Sequence, residues 1–319
     1  MFRKENSNAY SEDYMGDHTS IAWCDHSWSP WIGCTKVSPG CLNCYAEARD
    51  KRHLLEDVDH WGPGKPRWRT RDWRKPRRWN KSAGQLERRP RVFPSLCDWL
   101  DPEVPIEWLA DLLAVIHDTP RLDWLLLTKR PELWPARVYS AVHVRHHWAV
   151  DWLNGTPPPN VWIGVSVEDQ ERADERIPAL LHIPAHIRWL SCEPLLGPIM
   201  LDRSWLTGDS WETPIGRHMD WVVIGGESGL QARPCHLAWI RSIRDQCRGA
   251  QVPVFVKQCS GQRPGQQGLI PDELWNIKQF PESDRTEFSR RKNSLSKTAA
   301  ILPPAERSGS PFEALSVHA

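Results

Sequence analysis

The chain has 319 residues, a net charge of +1 and a quarter of its residues charged, enough to bury a full core as one large α/β domain or two ordinary ones. That balance excludes a protein driven to nucleic acid or membrane by global charge, and no apolar run is long enough to cross a bilayer. Nine cysteines, an odd number, read as reduced thiols or ligands, and MFRKENSNAYSEDYMG lacks an apolar signal-peptide core, so a cytoplasmic protein is expected.

Residues 1–20 are polar and are expected to form a flexible N-terminus. A first strand is expected just before Cys34, followed by the cysteine-rich segment GCTKVSPGCLNCYAEA and a run that reads as helix. Residues 61–90, rich in Pro, Gly, Arg and Trp, read as an insertion loop. Apolar runs then recur at RVFPSL (91–96), WLLLTK (124–129), VWIGVSVE (161–168), IRWLSCE (187–193), WVVIGGES (221–228) and VPVFVKQ (252–258). They lack clean alternation, as strands buried on both faces do. Their first residues lie 33, 37, 26, 34 and 31 apart, room for a helix and two loops, as βα units require. Segments 105–119 and 236–247 carry apolar residues at three- and four-residue steps and read as helices packed on a sheet. About seven parallel strands follow, in a complete or partial TIM-like barrel over 21–278. Residues 279–319 are Ser/Pro/charge-rich and read as a disordered tail.

Cys34, Cys41 and Cys44 follow a C-x6-C-x2-C pattern. Three thiolates cannot pair off evenly as disulfides, nor can they close a tetrahedral zinc site alone. They can hold three irons of a 4Fe–4S cluster and leave the fourth open to a ligand. Zinc is the alternative, with Cys24 or His26 in the fourth position. Cys97, Cys192, Cys235, Cys247 and Cys259 stand singly and read as small buried residues, Cys192 drawing notice beside Glu193. The tryptophans, twenty in all, read mostly as core filling.

Polar residues follow the apolar runs: Asp98, Thr128-Lys129-Arg130, Ser166 and Glu168, Ser191 and Glu193, Glu227 and Ser228, and Lys257 with Gln258. In a barrel the carboxyl ends of parallel strands share one rim, so Glu168, Glu193, Glu227, Lys129 and Lys257 are the catalytic candidates. Gly225 and Gly226 lack a phosphate-loop pattern and read as a turn or as a place where a ligand approaches backbone.

The segments IAWCDHSWSPWIGCTKVSPGCLNCYAE, SLCDWLD, LLLTKRPE, VWIGVSVEDQ, LSCEPLLGPI, VIGGESG and PVFVKQ resemble a phage- and mobile-element-borne family defined by a three-cysteine motif and regarded as radical-SAM-like. That resemblance, from Ile21 to Gln262, implies a radical S-adenosylmethionine barrel with a 4Fe–4S cluster on Cys34, Cys41 and Cys44, and a protein partner encoded nearby. A modification or repair enzyme, with nucleic acid as a candidate substrate, is the expectation, with Ser166, Glu193, Gly225, Gly226 and Glu227 as the adenosylmethionine contacts; the alternative is a zinc- or cluster-binding, non-catalytic interaction protein of a mobile element. The usual spacing of such enzymes is C-x3-C-x2-C; here Ser38-Pro39-Gly40 supplies a turn in the longer gap, and Asn43 stands where an aromatic residue is usual.

Lys65–Arg91 carries a net charge of +10 in a chain that is otherwise about −9. Its arginines Arg67, Arg69, Arg71, Arg74, Arg77 and Arg78, interleaved with Trp73, suit contact with nucleic acid through phosphate neutralisation and base stacking. The alternative is a solvated loop whose tryptophans pack on the barrel.

Overall fold

The computed structural model describes residues 19–52, 58–86, 88–145, 148–209, 214 and 216–282. The described residues as far as Pro281 form one compact unit. The expectations for residues 1–18 and 283–319 lie outside the described residues.

In chain order the elements are β1 (His26–Ser27), β2 (Trp31–Ile32), α1 (Tyr45–Arg52), β3 (Trp68–Arg69), α2 (Lys75–Ser82), β4 (Arg91–Phe93), α3 (Ile106–His117) and β5 (Asp123–Thr128). There follow α4 (Trp134–Val144), α5 (Ala149–Leu153), β6 (Val161–Ser166), α6 (Gln170–His182), β7 (Ile187–Cys192), α7 (Arg203–Thr207), β8 (Trp221–Gly225), α8 (Leu237–Gly249), β9 (Val254–Gln258) and α9 (Asp272–Trp275). Seven strands form one sheet in the order β1-β4-β5-β6-β7-β8-β9, every neighbour parallel. All six apolar runs become strands of it, and α3 and α8 occupy the expected helical segments. No helix among the described residues is long and apolar enough to cross a membrane.

The sheet curls into a half-barrel. In a flat sheet, β4 and β8 would stand about 19 Å apart, four strand spacings. Yet the ring of Trp23 lies 4.6 Å from Phe93 on β4 and 6.1 Å from Trp221 on β8. The concave face therefore wraps one aromatic cluster, in which Trp162, Trp189 and Phe255 join Trp23, Phe93 and Trp221. Gly164 makes room for it, since a Cβ there would meet the Trp189 ring at 2.3 Å. The barrel is partial: β1 and β9 are the two ends of the sheet and do not pair.

Residues of alternate parity point outward. Leu126, Ile163, Leu190, Val222 and Val256 pack under Leu109 and Leu113 of α3, Ile177 of α6 and Ile240 of α8. Each such fully buried aliphatic side chain contributes about 1.5–3 kcal/mol relative to exposure. The connecting helices are shaped by local signals. At the start of α6, Asp169 accepts from the Arg172 amide at 2.9 Å, capping the helix that follows β6.

Two boundaries differ from expectation. The 61–90 segment is not all loop: it contains β3, which pairs antiparallel with β2, and α2. The reason is packing, because Trp79 of α2 is buried and stacks on His26 at 4.2 Å. The barrel's last contacts also run past residue 278. Gln279 pairs its amide with Val254 O at 2.9 Å, and Phe280 stacks on Trp221 at 5.4 Å, so these two residues belong to the fold and not to the tail.

Candidate functional site

The cysteine loop lies across the carboxyl ends of the central strands. Pro39–Cys41 forms one turn of 3-10 helix, and α1 begins immediately after Cys44. The turn folds the longer gap back, so Cys34, Cys41 and Cys44 all line one cavity of about 120 Å³. Its wall also includes Ser95 and Cys97 after β4, Lys129 and Arg130 after β5, and Ser166 of β6.

Cys97 is the residue that sequence reasoning missed. It was expected to be a small core residue, yet it faces the same cavity as the three motif cysteines. The two candidates for a fourth zinc ligand fare otherwise. Cys24 directs its thiol to Ile21 O at 3.8 Å within the concave aromatic cluster, His26 stacks on Trp79, and neither lines the cavity. Cys192 is fully buried in the helix-facing core, on the opposite face of its strand from Glu193, and takes no part in the site.

Among the described residues no three His, Cys, Asp or Glu side chains are drawn together as they are around a single ion. The thiols surround a space instead of meeting at a point. Four thiols in one cavity wall, with cationic Lys129 and Arg130 beside them and the Asp98 carboxylate tied up by Arg130, fit a cluster on three thiolates, which is anionic. Burial pushes the Cys34 thiol up to about 12, the Asp98 carboxylate adding to the effect and Arg130 opposing it. Burial likewise raises Cys44 and lifts Cys97 well above the ordinary thiol range. Metal ligation here would therefore release protons.

Arg130 ties this wall together. Its Nη1 donates to Asp98 Oδ2 at 2.7 Å and to Cys34 Sγ at 3.5 Å, while Nη2 donates to Thr35 O. Asp98 also accepts from Thr128 Oγ1 at 2.7 Å and from the Lys129 amide at 3.0 Å. Lys129 Nζ in turn donates to Ser166 Oγ at 3.1 Å.

Two of the three glutamates expected at the rim are structural clamps on the cysteine loop. Glu168 is fully buried; it accepts from the Gly40 amide at 3.2 Å and pairs with Arg176 of α6 at 3.0 Å. Gly40 is required by this approach, because a Cβ would stand 2.8 Å from the Glu168 carboxyl carbon. Glu227 accepts from Asn43 Nδ2 at 3.0 Å and pairs with Arg233 at 2.5 Å, and Arg233 reaches Pro39 O at 3.0 Å. Burial alone would favour the neutral acid, but the bonds from Arg233 and Asn43 outweigh it and hold Glu227 below the usual carboxylate range. Both carboxylates are engaged by an arginine of this chain. The partners, eight residues on from Glu168 and six on from Glu227, left no pattern in the sequence that marked them as such.

Glu193 remains. It pairs with Lys257 at 2.9 Å and accepts from Ser191 Oγ at 3.3 Å, so the ends of β7 and β9 meet in one polar group. The two glycines of the GGE stretch serve neighbouring protein atoms. A Cβ on Gly225 would lie 2.5 Å from Glu193 Oε1, and one on Gly226 would lie 2.3 Å from the Ser260 amide nitrogen. The close approaches that Gly225 and Gly226 make possible here are to atoms of this chain.

The basic stretch is largely neutralised within the fold. Arg67 has a side-chain exposure of 0%; it pairs with Asp101 at 2.7 Å and is turned inward, away from any nucleic acid. Arg69 pairs with Asp111 and lies 4.3 Å over the Trp73 ring, whose indole N–H bonds Thr70 O. That occupies Trp73 with protein contacts on one face. Arg77 pairs with Asp118, Arg78 with Asp72, Arg88 with Asp25 and Arg89 with Asp123. Asp25, Asp118 and Asp123 precede or begin β1 and β5, at the end of the sheet opposite the cavity. Arg71 and Arg74 are exposed. Arg67 nevertheless reaches the cysteine loop from inside the fold, donating to Thr35 Oγ1 at 2.7 Å.

Residues 18–297 match a family model described as Protein of unknown function (DUF5131). No curated protein and no solved structure matches the chain. With the whole half-barrel and its cysteine loop inside that match, the chain belongs to the DUF5131 family.

Proposed function

We propose that this is a radical-SAM-like iron–sulfur protein of phage and other mobile elements, acting as a modification or repair enzyme at the open end of a radical-SAM-type half-barrel. The observation that carries the reading is the convergence of Cys34, Cys41 and Cys44 on one cavity at the carboxyl ends of parallel strands, with Lys129 and Arg130 in its wall. The three cysteines would hold a 4Fe–4S cluster, which supplies one-electron chemistry when bound. Lys129 and Arg130 offset its negative charge. Glu168 with Arg176, and Glu227 with Arg233, fix the loop that carries the thiols. Ser166 and the Ser191–Glu193–Lys257 group offer hydroxyl, carboxylate and ammonium contacts of the kind an amino-acid end of adenosylmethionine needs. The aromatic floor below them excludes water.

Cys97 favours one second reading, a four-thiolate zinc site in a non-catalytic interaction protein, with Cys97 in the place that Cys24 or His26 was expected to fill. Metal and sulfide analysis of anaerobically purified protein separates the two. Iron with acid-labile sulfide, and production of 5′-deoxyadenosine from adenosylmethionine under a strong reductant, are expected; stoichiometric zinc without sulfide refutes the enzyme. Cys34→Ala, Cys41→Ala or Cys44→Ala should each abolish iron binding, while Cys24→Ala should leave it intact.

A further inference from the structure

We propose that Cys97 supplies a fourth thiolate, capping the iron that Cys34, Cys41 and Cys44 leave open in the ligand-free protein. This rests on the iron–sulfur reading above.

Position is the first argument. Cys97 pairs with Gly33 in an isolated parallel bridge, and the Gly33 amide bonds Leu96 O at 3.3 Å, which places the Cys97 segment beside Cys34. Both residues line the same cavity as Cys41 and Cys44. Cys97 packs at the edge of the helix-facing core, but unlike the fully buried Cys192 and Cys247 it is partly exposed and lines the cavity.

Rigidity is the second. Asp98, the next residue, is held by Thr128 Oγ1, the Lys129 amide and Arg130. The same guanidinium reaches Cys34 Sγ, so one side chain couples the two cysteine-bearing segments. A ligand on a fixed segment loses little conformational freedom when it binds.

Chemistry is the third. A soft thiolate outcompetes oxygen donors for iron in a cluster, and the one carboxylate in the wall, Asp98, is already engaged by Thr128 Oγ1, the Lys129 amide and Arg130. In the step, Cys97 gives its thiol proton to solvent, bonds iron through sulfur and displaces that iron's solvent ligand. No electron moves. Cys97 then shields the labile iron until a substrate takes its place.

The test uses the full chain reconstituted anaerobically with isotopically enriched iron and sulfide, as wild type, Cys97→Ala and a Cys24→Ala control. Iron and sulfide are counted and Mössbauer spectra recorded. About four irons per chain are expected in all three proteins, as a 4Fe–4S cluster requires. Wild type and Cys24→Ala should show uniformly thiolate-ligated irons, and Cys97→Ala should show one distinct iron worth about a quarter of the signal. A distinct quarter already present in wild type and unchanged in Cys97→Ala overturns the proposal while leaving the cluster intact. Wild type without iron removes the iron–sulfur reading itself, and the cap with it. Should Cys97→Ala fail to fold, the wild-type spectrum alone decides between a uniform and a divided cluster.

Discussion

Substituting Glu168→Gln removes one charge from a buried pair and spares the shape of the side chain. Glu168 and Arg176 have side-chain exposures of 0% and 3%, so the arginine is left facing a neutral amide without water to replace the lost charge. Breaking a buried pair from one side costs about 3–5 kcal/mol. The low end applies, because Arg176 keeps its bond to Ser166 O at 2.8 Å and the new amide oxygen can still accept from the Gly40 amide. An unfolding entropy of about 0.5 kcal/mol/K suits a unit of this size, so a loss of about 3 kcal/mol lowers Tm by about 6 °C. The same helix provides the control. Glu175 is 58% exposed and pairs with Arg172, and Glu175→Gln should cost less than about 1 kcal/mol. Thermal unfolding followed by circular dichroism compares the two variants directly. If both melt within a degree of each other, the pair is not a buried clamp and the account of how the cysteine loop is held fails.

Three further outcomes are expected. Because bonds from Arg233 and Asn43 hold Glu227 below its ordinary value of 4.5, its contribution is present above that value and is lost as pH falls through the lower folded value. Stability measured by urea unfolding should therefore drop below about pH 4, and Glu227→Gln should flatten that part of the profile; an equal drop in the variant would assign it to other carboxylates. Gly226→Ala, whose Cβ would stand 2.3 Å from the Ser260 amide nitrogen, should destabilise by about 1–3 kcal/mol in equilibrium unfolding, and a neutral result would show that the β8–β9 ends can part at no cost. Binding of a labelled single-stranded oligonucleotide should follow salt with a log–log slope no steeper than about −3, since four arginines on and beside α2 (Arg71, Arg74, Arg77 and Arg78) are exposed. A slope of about −4 to −5 would mean that the in-fold ion pairs open to engage some six phosphates.

What the sequence by itself determined was local. Six runs of apolar, largely β-branched or aromatic residues had to be strands buried on both faces, and their spacing left room only for crossover helices and hence a parallel sheet. The pattern C-x6-C-x2-C, with Ser38-Pro39-Gly40 between the first two thiols, already implied a loop that brings three sulfurs together. Partnerships across the sheet were another matter. Glu168, Glu193 and Glu227 look alike as strand-end acids, and only the curled sheet gives two of them to arginines that pin the cysteine loop and the third to Lys257. Cys97 reads as a solitary cysteine until the β1–β4 pairing sets it beside Cys34. Arg67 reads as part of a basic face until its side chain is seen paired with Asp101, thirty-four residues away in the chain. The physical reason is common to all three. Strand and helix formation depends on patterns within a few residues, whereas the charge, exposure and company of a polar side chain are set by segments that meet only when the sheet curls.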